Sequence, residues 1–194
     1  MTITYQGDNY FKIKSGDDLV LVDPEDQRSF KKADMALNTI KPTLTEPPSK
    51  KDLFWCDHAG EYEVEGTRIR GWYNNTGEYR GERRQKTVYR LDFKSFRFVI
   101  FGFLAEELDP DIFEYMQEVD VAIIPAGNDE LINPSDAAQI IRQVEPSLVV
   151  PSFNDELDKF LKELNKKSCE KEEKIVIKKK DLKPQAMKVR CLQS

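Results

Sequence analysis

Through the first hundred residues apolar side chains tend to recur at every second position, and from Leu108 onward they recur at helical spacing; that change of period decides what the chain can become. Period two places successive side chains on opposite faces of a strand. Ile3 and Tyr5, then Phe11 and Ile13 across the turn Gly7-Asp8-Asn9, then residues 19–22 ending at Asp23-Pro24, therefore predict a β-meander. Residues 33–38 read as a short buried strand. Residues 39–51 read as a loop, because Pro42, Pro47 and Pro48 exclude regular structure. Short strands follow at 53–56, 62–64 and 67–70, the last two joined at Glu65-Gly66, and residues 72–85 read as a polar loop with two glycines. Strands resume at 87–93 and 97–103.

In the second half Ile112, Phe113 and Met116 predict a helix before an apolar strand at 119–124. Asn133 followed by Pro134 is an N-cap with proline in the first helical position, and Ala137, Ile140, Ile141 and Val144 share one face until Pro146. A buried strand at 148–150 precedes a third helix capped by Asn154, with Leu157, Phe160, Leu161 and Leu164 facing inward. Segments 174–178 and 187–192 read as a hairpin closing a sheet edge. The expectation is a single α/β (α+β) domain over residues 1–194, two sheets with flanking helices, and a C-terminal strand pair at about 174–192.

A chain of 194 residues buries a full core without metal or disulfide staples. The three cysteines, Cys56, Cys169 and Cys191, are odd in number and widely spaced, which predicts reduced thiols. No apolar run approaches the ~18 residues of a spanning helix, and residues 1–6 alternate as a strand does and lack the form of a signal peptide. A cytoplasmic protein without membrane partners is expected. The net charge of −5 hides a segregation: between Gly66 and Arg90 seven basic residues face two acidic ones. There Arg68, Arg70, Arg80, Arg83, Arg84 and Lys86 are interleaved with Trp72 and Tyr73, the side-chain types that neutralise phosphates and stack on bases, so a nucleic-acid contact or a protein interface is a candidate role for 66–90.

The ordered set Thr4-Tyr5-x-Gly7, Leu21-Val22-Asp23-Pro24, Ala33-Asp34-Met35, Gly60-Glu61-Tyr62-Glu63, Gly71, Thr87-Val88-Tyr89, Asp120-Val121, Ile124-Pro125 and Val150-Pro151 resembles the small bacterial metallo-β-lactamase-fold hydrolases over nearly the whole chain. The resemblance implies a four-layer αβ/βα sandwich, with the site at the sheet edges and zinc held by about five histidines and two aspartates. This chain has one histidine, His58. Threading the family's HxHxDH motif from Thr39 sets Ile40 and Pro42 at the first two histidines, Leu44 at the aspartate and Thr45 at the last histidine. The later ligand positions fall on Asn74, Phe103 and Phe153. None of the seven offers a metal more than an amide or hydroxyl, and magnesium in place of zinc would still require clustered carboxylates.

Three polar residues remain as a residual site. His58, in Cys56-Asp57-His58, reads as a surface or hydrogen-bonded residue ahead of a relocated ligand; Asp23 reads as bonding backbone of the next loop ahead of an acid or base; Asp8 reads as a turn residue. The sequence therefore predicts a metal-free, inactive member of that fold acting as a binding or scaffold module, with a homo-oligomer or protein partner, no cofactor and no catalytic residue. A hydrolase with an unorthodox metal site and a nucleic-acid binder are the two alternatives.

Overall fold

The structure is a computed structural model that describes residues 1–49, 52–183 and 186–194. In chain order its strands are β1 (Thr2–Tyr5), β2 (Phe11–Ser15), β3 (Asp18–Val22), β4 (Met35–Leu37), β5 (Ile40–Lys41), β6 (Phe54–Cys56), β7 (Gly60–Val64), β8 (Thr67–Tyr79), β9 (Glu82–Phe93), β10 (Phe96–Ile100), β11 (Val121–Pro125), β12 (Leu148–Ser152), β13 (Lys171–Glu172), β14 (Ile175–Val176), β15 (Lys188–Val189) and β16 (Cys191–Leu192). The helices are α1 (Pro110–Phe113), α2 (Pro134–Val144) and α3 (Leu157–Glu163).

Two large sheets carry the fold: one in the order β14-β1-β2-β3-β4-β6, the other β15-β12-β11-β10-β9-β8-β7, with β5 added alongside β9. Their facing sides supply one core, in which Ile3, Phe11, Ile13, Val20 and Val22 meet Ile69, Leu91, Phe98, Ile100, Ile123 and Val150. This is the mixed α+β class expected. The outer face of the second sheet is covered by all three helices, where Val99, Phe101, Ala122 and Ile124 meet Ile112, Ile140, Ile141 and Phe160. On the first sheet's outer face Tyr10, Leu21 and Ala36 are covered by Phe30 of a single 3-10 turn, Ser29–Lys32.

Asn133 caps α2 as expected, its side chain accepting from the Asp136 N–H at 3.0 Å ahead of Pro134. Asn154 does not cap the third helix: it opens a 3-10 turn, Asn154–Glu156, and α3 starts at Leu157 with no side-chain cap. Four further expectations need correction. Residues 39–51 contain the two-residue strand β5, since the prolines prevent pairing only from Pro42 onward, and Ile40 and Lys41 pair with Lys86 and Gln85; Lys50 and Lys51 lie outside the described residues. Residues 72–85 form no loop but the outer part of a β8–β9 hairpin that turns at Arg80-Gly81, where φ is 52° and 72°. A two-residue turn with both φ positive matches the twist of a hairpin, and glycine supplies the second position.

The C-terminal segments do not pair with each other. β14 adds antiparallel to β1, β15 adds parallel to β12, and so each closes a different sheet; Pro184 and Gln185 between them lie outside the described residues. Nor are all three cysteines reduced: β13 and β16 run parallel, which sets the Cα atoms of Cys169 and Cys191 5.8 Å apart and joins them in a disulfide, leaving Cys56 as the free thiol. Among the described residues no helix is long and apolar enough to cross a membrane.

Candidate functional site

The loops that leave β3, β4, β10 and β12, the β1–β2 turn and the tip of the β8–β9 hairpin converge at one end of the two sheets. Besides the hairpin tip, four of these reversals carry left-handed backbone: φ is 47° at Asp8, 43° at Asp23, 60° at Gly102 and 49° at Phe153. Aspartate and glycine adopt this conformation readily, whereas a phenylalanine held there is a steric outlier that its surroundings must maintain. At Gly102 the reason for glycine is contact: a Cβ would lie 2.0 Å from the Thr39 hydroxyl.

Two strata fill this end. The outer one is apolar. Ile40, Phe103, Phe153, Tyr79 and Leu131 are all buried and form one cluster with Leu44 against it. Tyr79 meets Phe103 edge-on at 4.6 Å between ring centroids and Phe153 at 6.1 Å, and Phe103 meets Phe153 at 5.2 Å, a set of T-shaped pairs. Beside it lies a buried polar knot. The Asp23 carboxylate accepts from the Thr39 N–H, the Thr39 hydroxyl and the Asn9 amide, each at 2.6 Å. Burial pushes the Asp23 carboxyl up to about 7, against the opposing pull of those three donors.

The hairpin tip is fastened to the rim by charge. Arg80 pairs with Asp8 and reaches Glu25 at 3.6 Å, while its backbone N–H donates to Glu130 at 3.1 Å. The Tyr79 hydroxyl donates to Asp8 at 3.1 Å. Burial raises the Glu25 carboxyl, with Arg80 opposing.

Of the seven ligand positions implied by the resemblance, Ile40, Leu44, Phe103 and Phe153 gather in the apolar cluster. Pro42 stands exposed beside it, its carbonyl accepting from Arg84, and Thr45 accepts the Thr43 hydroxyl at 2.7 Å. Asn74 is not shown joining them: its side-chain carbonyl accepts from the Asp109 N–H at 3.4 Å. Of the residual polar trio, Asp8 and Asp23 serve different parts of the rim, and Asp23 does bond backbone of the next loop, at Thr39. His58 projects into solvent with its side chain 62% exposed, between Asp57 and Lys41. The cluster members that sequence reasoning left out are Tyr79 and Leu131. The two-residue turn after Tyr79 was the available signal for the first.

Several side chains of the basic segment have acidic or backbone partners within the fold. Arg68 and Arg70 pair with Glu63 at 3.7 Å and Glu61 at 2.9 Å, and these four residues line a surface groove with Arg90 and Asp92. The Arg70 guanidinium also lies 5.3 Å from the ring of Tyr115 and 6.0 Å from that of Trp72. Arg84 and Lys86 are buried, because their positions face the loop from Pro42 rather than solvent. Arg83 and Tyr73 stay exposed, Tyr73 bonded to Thr76 at 2.7 Å.

Residues 2–152 match the family model described as the beta-lactamase superfamily domain. Among solved structures, a Thermotoga maritima protein named as a Zn-dependent hydrolase of the metallo-beta-lactamase superfamily is similar at a TM-score of 0.75 and 20% identity, over 98% of this chain and 97% of that one. A Parabacteroides distasonis protein named as a metal-dependent hydrolase is similar at 0.69 and 19%, over 98% and 93%. The Bacillus subtilis metallo-beta-lactamase fold protein YhfI follows at 0.60 and 11%, over 83% and 91%. At these identities the likeness establishes fold alone. No curated protein matches the chain at a significant level.

Proposed function

This chain belongs to the beta-lactamase superfamily, and we propose that within it the protein is a catalytically inactive, metal-free binding or scaffold module. One observation carries the reading: Ile40, Phe103 and Phe153, at positions where the family resemblance implies zinc ligands, pack with Tyr79 and Leu131 in a single cluster whose members are each at most 7% exposed. The residues present do not fit a zinc pair. Their side chains offer hydrocarbon and one phenol, and among the described residues no group of three or more His, Cys, Asp or Glu could hold an ion. A buried phenylalanine held in left-handed backbone supports the same reading, since its surroundings maintain that conformation around a side chain that supplies packing and no ligand. The partner of such a module is a protein or a second copy of this chain.

Two measurements on protein purified without chelators test this. Elemental analysis is expected to find well below one equivalent of zinc, manganese or iron, and panels of β-lactam, ester and phosphodiester substrates are expected to show no turnover above the Phe103→Ala variant. About two equivalents of metal, or turnover that metal restores after chelation, would establish the alternative of a hydrolase with an unorthodox site.

A further inference from the structure

On the hairpin face beside the apolar cluster, Ile40, Lys86 and Asn75 stand in one row across β5, β9 and β8, paired Ile40 to Lys86 and Lys86 to Asn75. Arg84 is two residues along β9 from Lys86, on the same face, and is paired with Gly77. Cross-strand neighbours lie about 5 Å apart at Cβ and same-face neighbours along a strand about 7 Å apart, so the side chains of Lys86, Asn75 and Arg84 spring from one small patch of the hairpin. Each carries a buried hydrogen-bonding atom with no partner: Lys86 Nζ, Asn75 Nδ2 and Oδ1, and Arg84 Nε. Lys86 is only 2% exposed, and buried ammonium groups are as a rule paired. Here no ion pair among the described residues reaches it, while the carboxylates of Glu106 and Glu130 act on it from a distance and oppose the lowering that burial imposes. The amine end packs directly against Gly77, where a Cβ would lie 3.1 Å from Nζ.

We infer that this patch is an oxyanion site, in which the Lys86 ammonium, the Asn75 amide and the Arg84 Nε–H take a single carboxylate or phosphate group beside Gly77. Donors outnumber acceptors in the patch, since the one orphaned acceptor is Asn75 Oδ1, and an anion satisfies all three donors where a neutral ligand would leave the ammonium unpaired. The inference is independent of whether metal binds near Phe103.

The test uses the full chain and three probes, sodium acetate, sodium phosphate and sodium chloride, at constant ionic strength. Acetate or phosphate is expected to raise the melting temperature saturably, by about 5 °C or more at roughly 100 times its Kd, with chloride inert; which of the two acts identifies carboxylate or phosphate as the natural group. Lys86→Met, which keeps the stem and removes the charge, and Gly77→Ala, which keeps the amine and sets a methyl group 3.1 Å from it, are each expected to weaken binding at least tenfold by calorimetry. Because the alanine variant retains the ammonium, its loss separates a site from general charge. No saturable response to either oxyanion, or an unchanged response in a folded Lys86→Met or Gly77→Ala protein, overturns the inference.

Discussion

Truncating Phe103 to alanine is the most direct trial of the apolar cluster. The ring is fully buried and lies edge-on to Tyr79 at 4.6 Å and to Phe153 at 5.2 Å. Removing a buried phenylalanine costs about 3–5 kcal/mol through lost transfer energy and the cavity left behind. Each aromatic pair adds about 0.5–1.5 kcal/mol beyond area, so the upper part of that range, about 4–5 kcal/mol, is expected. For a domain of this size that lowers the melting temperature by about 8–20 °C. Chemical denaturation with matched calorimetry measures it. Phe103→Leu, which retains burial but loses both ring pairs, is expected to cost about 1–2 kcal/mol and guards against outright unfolding of the alanine variant. Tyr73→Ala, at a side chain 48% exposed, is the control and is expected to stay within about 0.5 kcal/mol. A loss below about 1.5 kcal/mol for Phe103→Ala would refute the reasoning, for it would mean that the ring lines a loose site rather than a packed core.

Gly102→Ala is expected to cost about 3–5 kcal/mol in denaturant melts, because it combines left-handed backbone with displacement of Thr39 and its hydrogen bonds to the buried Asp23; Thr39→Gly in the same chain should recover part of the loss. Asp23 holds its proton up to about pH 7 when folded, so its contribution to stability is greatest below about pH 4 and is lost as pH rises toward 7. Asp23→Asn, neutral throughout, is expected to fall less steeply with pH than the parent between pH 4 and 7, and parallel stability profiles would contradict the assignment. Reduction of Cys169–Cys191, which closes a sequence separation of 22, is expected to lower stability by about 3 kcal/mol; alkylation of the unfolded, unreduced chain should label one thiol, and three labelled thiols would contradict the bridge. Tyr79→Ala is expected to abolish amide protection across residues 72–79 while leaving β10 to β12 protected, whereas Arg80→Ala, at an exposed ion pair worth at most about 1 kcal/mol, should leave it nearly intact; hydrogen exchange decides.

What the sequence made legible was whatever buries apolar surface at a fixed period. The meander from Ile3 to Val22 and the Asn133-capped α2 sit where alternation and helical spacing place them, and the strands Val121–Pro125 and Leu148–Ser152 sit where continuous apolar runs do. The outer part of the hairpin was not legible, because its faces carry Asn75, Gly77, Arg84 and Lys86, and a ribbon packed on a loop rather than on a core has no apolar alternation to read. The disulfide was hidden for a related reason: a separation of 22 residues says nothing about two short strands lying side by side. At the candidate site, the absence of histidines was plain from composition. That Tyr79 and Leu131 complete the cluster was not, since both arrive from segments distant in sequence.

The hairpin also shows which interaction orders this end of the molecule. β7 supports β8 only as far as Gly71, opposite Gly60, and beyond it β8 has β9 as its one partner. A two-stranded ribbon alone is marginal in water, and β5 adds a third strand only at Lys86 and Gln85, so between Gln85 and the turn the ladder alone cannot account for the order. The tip must. Tyr79 is 4% exposed against Phe103 and Phe153, whereas the Arg80 guanidinium is half exposed and its pairs with Asp8 and Glu25 are correspondingly weak. The aromatic contact therefore holds the ribbon and the charges set its register on the rim. It follows that phenylalanines at 103 and 153 have a structural consequence well beyond their own burial: they are the surface on which some dozen residues of hairpin are ordered, and histidines or aspartates in their place would leave the tip, and the buried row of Ile40, Lys86 and Asn75 beneath it, without an anchor.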